Sequence, residues 1–324
     1  MQFYLDGYKP GDPDILTAEL PNAVDVLIVG SGPAGALLAA QLSTFPSIST
    51  RLVERLDGPL RVGQADGVAC RTAEMFDAFG LSGKLIREAY WVNETVFWRP
   101  SKADRSRIER TGRVQDTEDG LSEFPHLIVN QARMQKYLLD YMRNSPTRLE
   151  ANYGLEFLDL NVETEGEHPV VVTLRKVANG AESAVRAKYV VGCDGGHSTV
   201  RQQIGIERGG ADFNELMVLA LFRSRELHEK LKRFPPRSTY RVIHPDLRGY
   251  WQFFGRVDVG ESWFFHSPVP ADTTRDNYDF HGLLQKAAGF SFACDFDYVG
   301  FWDLRIAVAE KYQVGRILDR KSVV

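Results

Sequence analysis

The sequence predicts a mixed α/β fold in which a Rossmann-like domain with a parallel sheet is interrupted by a strand-rich second domain. A buried strand, a glycine turn and a helix follow one another at 24–42, and the same order returns at 187–206. These two stretches predict the first domain. The insertion is predicted by residues 210–308, which are rich in aromatic and β-type residues and lack that order.

The composition of the chain argues against several classes of function. The 324 residues are 44% hydrophobic and 25% charged, enough for a large core and for two interleaved domains. The formal net charge is −4, and "RSRIER" at 105–110 is the only small basic cluster, so we expect no nucleic-acid partner. Cys70, Cys193 and Cys294 lie far apart, which predicts neither disulfides nor a metal site. With no signal-peptide pattern and no run of apolar residues long enough to span a membrane, we expect a cytoplasmic protein without membrane contact.

The first glycine turn has the spacing of a dinucleotide-binding loop. The apolar run "VDVLIVG" leads into "GSGPAG", in which Gly30 permits the turn, Gly32 allows backbone to approach a pyrophosphate, and Gly35 lets helix pack on strand. The next strand, "TRLVER", ends at Glu54, where a ribose is held in such folds. The alternative is a glycine-rich turn in an unrelated α/β protein. The motif alone does not separate NAD from FAD.

The order of elements after Arg55 disfavours a dehydrogenase, because regular strand-helix alternation stops there. A glycine-rich segment, a helix-like stretch at 73–89 and β-type stretches follow. We therefore expect a discontinuous chain organisation, with these segments: an N-terminal extension at 1–22, a nucleotide-binding domain at 23–90 and 126–209 with a β-meander near 150–187, a second domain at 91–125 and 210–308, and a return to the first domain at 309–324.

Three motifs together resemble the flavoprotein aromatic hydroxylases, the single-component FAD monooxygenases typified by para-hydroxybenzoate hydroxylase and phenol hydroxylase. They are "GSGPAG" with Glu54-Arg55, Gln131 in "NQARMQKYLLDYM", and Asp194-Gly195 in "GCDGGHSTVR". The segment "GQADGVACRT" is similar to the phenol hydroxylase branch. The resemblance implies that FAD lies extended along the first domain and that 210–308 forms the substrate domain.

The resemblance also implies the residues that contact FAD. The 30–35 loop would contact the pyrophosphate, Glu54 the ribose, and Gln131 with the Asp194-Gly195 turn the ribityl and pyrophosphate region, with Arg71 as a further phosphate neighbour. The complete set is Gly30, Ser31, Gly32, Pro33, Ala34, Gly35, Glu54, Arg55, Arg71, Gln131, Asp194 and Gly195. Read without the family, Asp194 is also explained as a helix N-cap and Gln131 as a capping or solvated residue.

Aromatic residues dominate the second domain. "RGYWQFFGR" and "ESWFFHSPV" flank the turn-like "VDVG" and predict a hairpin. Such residues suit a flat apolar ligand, but they are also common in sheet cores. The family resemblance implies that NAD(P)H reduces the flavin, that O₂ forms a C4a-hydroperoxide, and that a phenolic ring is hydroxylated ortho or para to its hydroxyl group.

A base beside the phenol would favour this chemistry. We consider Asp66, in "QADG", together with Tyr240 and His244, which lead into the predicted hairpin; His266 in "FFHSP" is a further possibility. The alternative for His244 is an ordinary loop residue before proline. The resemblance also allows a homodimer of the full-length protein.

Two alternatives to a phenol hydroxylase stay open. The first is another flavoenzyme on this fold, either a halogenase, whose tryptophan-rich signature is not visible, or a hydride-transferring reductase. The second is an inactive fragment. In the family, the strand matching "YQVGRI" leads into a Gly-Asp turn and a helix, whereas this sequence continues with "LDRKSVV". We therefore expect a C-terminally truncated chain with poor activity.

Overall fold

The computed structural model describes residues 20–63, 65–104, 108–234, 236–244, 252–258 and 260–320. Several predicted features fall outside these residues, in whole or in part. They are the N-terminal extension up to 19, residue 64 of "GQADGVACRT", the first half of the basic cluster at 105–107, the start of the aromatic hairpin at 248–251 with residue 259 of its turn, and the last four residues of the predicted tail.

Helices are interspersed along the chain with strands that form parallel and antiparallel pairs. The helices are α1 (Pro33–Leu42), α2 (Cys70–Ala78), α3 (Ser82–Glu88), α4 (Gln131–Asn144), α5 (Thr199–Gln203), α6 (Arg225–Leu231) and α7 (Phe280–Ala288). The strands are β1 (Ala23–Val29), β2 (Thr50–Glu54), β3 (Gly67–Val68), β4 (Tyr90–Val92), β5 (Glu94–Pro100), β6 (Ile108–Gln115), β7 (His126–Ile128), β8 (Ala151–Tyr153), β9 (Leu155–Val162), β10 (Val170–Lys176), β11 (Glu182–Gly192), β12 (Arg208–Arg223), β13 (Ser238–Val242), β14 (Phe253–Arg256), β15 (Ser262–Val269), β16 (Asp295–Ala309), β17 (Gln313–Val314) and β18 (Ile317–Asp319).

The first of two compact units contains the chain up to Gly63, Gln131–Gly209 and the segment from Ala307. Its sheet runs in the order β17-β18-β11-β1-β2-β8, and β10 and β9 continue from β11. Strands β18, β11, β1, β2 and β8 pair in parallel, whereas β9, β10 and β11 form consecutive antiparallel pairs. Leu27 and Ile28 of β1 are fully buried, as expected for a strand covered on both faces. The mixed α/β fold with a parallel sheet is therefore confirmed.

The second unit contains residues 64–130 and 210–306. Its main sheet has the order β16-β12-β15-β14-β13-β5-β6, and β3, β7 and β4 form a small separate sheet. One face of the main sheet packs under α6 and α7, where Trp263, Phe222 and Phe254 are buried. The predicted hairpin is confirmed in its described part, because β14 and β15 pair antiparallel.

The unit boundaries differ from the predicted segments in one region. Residues 64–90 and 126–130 group with the second unit rather than with the nucleotide-binding segments. Strand pairing explains the difference, since β7 pairs with both β3 and β4 and links these segments. The helix-like stretch at 73–89 is divided into α2 and α3, because Gly80 adopts a left-handed conformation with φ of 70°.

Candidate functional site

The glycine loop of the first unit is built by close backbone packing. Gly30 has φ of 100°, and a Cβ there would lie 2.5 Å from the carbonyl oxygen of Cys193. A Cβ on Gly35 would overlap the carbonyl of Gly30. In contrast, a Cβ on Gly32 would meet nothing within 4 Å. Gly30 and Gly35 are thus required by the packing of β1, α1 and β11, while space remains open at Gly32.

Glu54 lies directly beside this loop. Its Oε2 accepts hydrogen bonds from the backbone N–H of Ser31 at 2.8 Å and from the Ser31 hydroxyl at 3.0 Å, and its Oε1 accepts one from Leu56 N–H at 3.0 Å. Parallel pairing of β1 and β2 brings their carboxyl ends together and accounts for the contact. A carboxylate can accept further hydrogen bonds, so a ribose hydroxyl could also donate one to Glu54.

Gln135 is a loop contact that sequence reasoning missed. The side chain lies on α4 and is 1% exposed. Its Nε2 donates to the Ser31 carbonyl oxygen at 2.6 Å, and its Oε1 accepts from Leu60 N–H at 2.8 Å. The available signal was a glutamine one helical turn after Gln131 in an amphipathic helix, on the face that is apolar at Leu138 and Met142.

Gln131 begins α4 and lies against the segment that follows Leu60. A Cβ on Gly63 would lie 2.6 Å from the Gln131 Cβ, so only glycine allows this approach. Helix α4 in turn packs against α1. The structure therefore brings Gln131 into the same unit as the loop, on the helix that contacts it through Gln135.

The Asp194-Gly195 turn follows β11 and lies beside Gly30, because a Cβ on Gly30 would also be 2.9 Å from Asp194 N. Asp194 Oδ2 accepts from the backbone N–H groups of Thr199 and Val200 at 2.7 and 3.2 Å. Its other oxygen, Oδ1, is buried and has no hydrogen-bond partner among the described residues. Ser198 is the N-cap of α5, and Asp194 adds bonds to the first two N–H groups of the helix through one oxygen only, while Gly195 supports the turn with φ of 86°.

A buried arginine also stabilises the Asp194-Gly195 turn. Arg201 donates to the Gly196 carbonyl oxygen at 2.7 Å and to that of Gly195 at 3.4 Å, and its Nη1 lies 3.6 Å from Asp319 Oδ1. Burial raises the pKa of Asp319, although Arg201 opposes the shift. Burial and the nearby Asp194 also raise the pKa of the Cys193 thiol to about 12. The thiol is therefore protonated at neutral pH and serves as an apolar packing group.

The two predicted arginines take no part in these hydrogen bonds. Arg55 is exposed after β2. Arg71 belongs to the second unit, where its 90% exposed side chain pairs with Glu74 at 2.8 Å. Neither arginine is held in position by the contacts that order the loop.

Asp66 is a buried carboxylate of the second unit. It is 7% exposed, its Oδ1 lies 3.4 Å from Asn130 Nδ2, and its carbonyl oxygen accepts from Val129 N–H at 2.8 Å. The adjacent Gly67 faces His126, whose Nε2 would be 3.1 Å from a Cβ at that glycine.

His126 was not identified from the sequence. Its Nδ1 lies 3.2 Å from Asp116 Oδ2, a geometry that orients the imidazole. No sequence motif marked this residue, because the pairing of β7 with β3 brings it beside Gly67. Gly67, the residue after Asp66, thus lies beside an oriented histidine.

Tyr240 and His244 have different surroundings from Asp66. Tyr240 is 3% exposed and stacks on Phe254 with ring centroids 4.9 Å apart, within the core under α6 and α7. Burial raises the pKa of Tyr240 to about 12, so its phenol stays protonated at neutral pH. His244 is partly buried and lies just after β13, at the edge of the described residues.

The chemistry of the first unit fits a dinucleotide. Open space at Gly32, the start of α1, a ribose-competent carboxylate at Glu54 and the buried Oδ1 of Asp194 are the groups a dinucleotide cofactor needs. Within the described ranges no three His, Cys, Asp or Glu residues are arranged to hold a metal ion. None of the helices in those ranges is long and apolar enough to cross a membrane.

Comparison with known proteins gives the family. A family model described as an FAD binding domain matches residues 23–318. The 3-hydroxybenzoate 4-monooxygenase of Comamonas testosteroni is 50% identical over 228 residues, which are 66% of this chain and 36% of that protein. The FAD-dependent monooxygenase terD of Aspergillus terreus is 36% identical over 59% of this chain and 31% of its own length. The chain thus spans about a third of the length of these curated relatives.

Solved structures show the same fold. The flavin-dependent monooxygenase PieE, in complex with FAD and substrate, superposes with a TM-score of 0.78 at 23% identity, over 92% of this chain and 52% of that one. The p-nitrophenol 4-monooxygenase PnpA of Pseudomonas putida gives 0.76 at 19% identity, over 92% and 72%. The chain belongs to the FAD-binding family of flavoprotein aromatic hydroxylases, whose members are FAD-dependent monooxygenases.

Proposed function

We propose that this chain binds FAD noncovalently in its first unit and serves in the hydroxylation of a phenolic ring, with NAD(P)H as reductant and O₂ as oxidant. The observation that carries the proposal is the ordered loop at 30–35, which Glu54 and Gln135 hold through Ser31. The phenolic substrate is supported by the relative that is named as acting on 3-hydroxybenzoate.

The residues of the first unit have distinct proposed roles. Backbone N–H groups at the start of α1 would bind the pyrophosphate, and open space at Gly32 leaves room for it. Glu54 would bind a ribose hydroxyl while it keeps Ser31 in place. Gln131 and Asp194 would contact the ribityl and pyrophosphate region.

The reaction balances with one molecule of each reactant. Bound FAD supplies the redox chemistry, accepting two electrons from NAD(P)H and passing them to O₂. One oxygen atom is inserted into a ring C–H bond to give the new hydroxyl group, and the other leaves as water, whose formation consumes one proton from solvent besides the hydride equivalent of NAD(P)H. The sequence contains a single G-x-G-x-x-G loop, which we assign to FAD, so we propose that the nicotinamide cofactor binds only transiently within these 324 residues.

Asp66 is the base we propose for the phenolic proton. It is buried directly before β3, beside Gly67, which faces His126, and so could take a proton in a site with little water. His244 remains a second proposal. We assign Tyr240 no proton transfer, because its phenol lies in the core with a raised pKa.

Substitution of Gly32 tests the proposal, because the apo protein has room for a larger side chain there. Gly32→Val should leave the unfolding midpoint of the apo protein nearly unchanged but abolish the quenching of FAD fluorescence that we expect with the wild type. Gly112→Val is the matched control, since Gly112 also has open space and an ordinary φ. A wild-type protein that takes up no FAD, or a Gly32→Val variant that binds it normally, would contradict the proposed cofactor site.

A second experiment tests the substrate. We expect NADPH oxidation by the FAD-loaded protein to be stimulated by 3-hydroxybenzoate or another phenol, with a ring-hydroxylated product. Oxidation that no phenol stimulates would favour a reductase instead.

A further inference from the structure

The main sheet of the second unit has a second face, which bears a row of side chains in register. Arg241 on β13 pairs with Phe253 on β14, Phe253 pairs with His266 on β15, and His266 pairs with Leu219 on β12. Their neighbours along each strand, including Tyr240 and Phe254, belong to the core under α6 and α7. Because side chains alternate along strands, the row lies on the face opposite that core.

Aromatic contacts order this row, which we call the Arg241–His266 row. The guanidinium carbon of Arg241 lies 4.3 Å from the Phe253 ring centroid, and the His266 ring stacks on Phe253 at 4.8 Å with an interplanar angle of 10°. Phe264 meets both rings edge-on, at 5.5 Å and 5.7 Å. The strand order places Arg241 and His266 on the two sides of Phe253.

His266 has polar capacity that these aromatic contacts do not use. Its Nδ1 is buried and has no hydrogen-bond partner among the described residues. Burial and, secondarily, Arg241 lower the pKa of His266 to about 4, so the imidazole is neutral at pH 7. With the proton of the neutral imidazole on Nδ1, this nitrogen is an N–H donor that no acceptor among the described residues satisfies.

A purely structural role leaves the imidazole unexplained. A phenylalanine at 266 would provide the same stacking on Phe253 without the cost of enclosing an unpaired nitrogen. An imidazole N–H donor and a guanidinium charge on one aromatic surface instead match a flat ligand that bears an anionic oxygen.

We propose that His266 and Arg241 determine substrate specificity, and that they select an aromatic acid of the hydroxybenzoate class over a phenol without an acidic substituent. This inference rests on the proposed hydroxylation of phenolic rings. The ligand's ring would lie against Phe253 and Phe264, and its anionic and hydroxyl oxygens would be met by Arg241 and the His266 N–H. Relatives are named for 3-hydroxybenzoate, for phenol and for p-nitrophenol, so the family itself leaves this choice open.

Calorimetric titration of the 324-residue chain, saturated with FAD at pH 7.5, tests the inference without measuring turnover. The ligands are 3-hydroxybenzoate and its methyl ester, which keeps the ring and hydroxyl but removes the charge. We expect the wild type to prefer the acid about tenfold or more, as for loss of one charge-assisted hydrogen bond.

Four variants assign that preference to the row. His266→Phe keeps the stacking and Arg241→Met keeps the aliphatic stem, and both should lose most of the preference. His266→Gln, which retains an N–H donor, should restore part of it. His281→Phe, on α7 beside Phe296, is the matched control and should behave as the wild type. Thermal unfolding of each variant separates loss of binding from loss of fold.

The outcomes distinguish this inference from the proposed function. If phenolic ligands bind but the wild type does not prefer the acid, or if His266→Phe and Arg241→Met are folded and keep the preference, the role of the row is wrong and the proposed hydroxylation stands. If the FAD-saturated chain binds neither ligand nor phenol, the proposed substrate class fails, and the inference fails with it.

Discussion

Gln135 donates its side-chain N–H to the carbonyl oxygen of Ser31 across 2.6 Å, and this bond connects helix α4 to the glycine loop at 30–35. The same amide accepts from Leu60 N–H at 2.8 Å, so one buried side chain orders two chain segments. The loop is therefore held by hydrogen bonds from two side chains, Gln135 on α4 and Glu54 at the end of β2.

Replacement of Gln135 by leucine should loosen the loop. It leaves the Ser31 carbonyl and the Leu60 N–H without their partner, and buried unsatisfied groups cost about 1–3 kcal/mol. We expect FAD affinity to fall about tenfold or more, measured by fluorescence titration. Gln203→Leu, at an exposed position on α5, is the control. Equal FAD affinity for Gln135→Leu and the wild type would show that the bond does not position the loop.

Gly30 should tolerate substitution poorly, for reasons of backbone geometry. Gly30→Ala combines a positive φ with a Cβ 2.5 Å from the Cys193 carbonyl oxygen. We expect a loss of about 1–3 kcal/mol in the free energy of unfolding, measured with urea. Gly196→Ala should cost far less, because its Cβ would meet open space at an ordinary φ. Similar losses for the two variants would contradict the close packing of β1 against β11.

Sequence predicted the glycine loop, Glu54 and Asp194 because their roles depend on local order. A strand, a turn and a helix are contiguous in the chain, and parallel strands bring their carboxyl ends together wherever the sheet forms. Asp194 was predicted both as a ligand and as a helix N-cap; the N-cap of α5 is Ser198, and Asp194 binds the N–H groups of Thr199 and Val200 with one oxygen left over.

Gln135 and His126 could not be found in this way, because tertiary packing creates their contacts. The bonds of Gln135 depend on how α4 packs against α1, and the position of His126 depends on the pairing of β7 with β3. Because side chains alternate along β13, Tyr240 and Arg241 lie on opposite faces of the sheet. The sequence alone does not tell which of the two faces is covered by α6 and α7.

His266 should make stability depend on pH in a defined window. The imidazole titrates near 6.5 when unfolded and at about 4 in the folded protein, so folding disfavours its protonated form. The contribution of the neutral imidazole to the free energy of unfolding is fully present above pH 6.5. It decreases by at most about 3 kcal/mol as pH falls towards 4. The difference in unfolding free energy between His266→Phe and the wild type should therefore shift in favour of the variant on acidification. A constant difference between pH 7 and pH 4.5 would count against a neutral, enclosed imidazole.

Removal of the ionisable group should affect product formation differently at Asp66 and at Tyr240. Asp66→Asn keeps the shape of the side chain and its contact with Asn130 but removes the proposed base, so formation of hydroxylated product should fall about 100-fold or more. Tyr240→Phe removes a hydroxyl in the core, where a pKa of about 12 keeps the phenol protonated at neutral pH and so makes it a poor base. We expect that variant to change the free energy of unfolding by about 1 kcal/mol and the product yield per bound FAD hardly at all. The assay is product analysis of FAD-loaded protein with NADPH and 3-hydroxybenzoate, with FAD content measured in each variant. Normal product formation by Asp66→Asn would exclude Asp66 as the base, and a selective loss in Tyr240→Phe would return that role to the tyrosine.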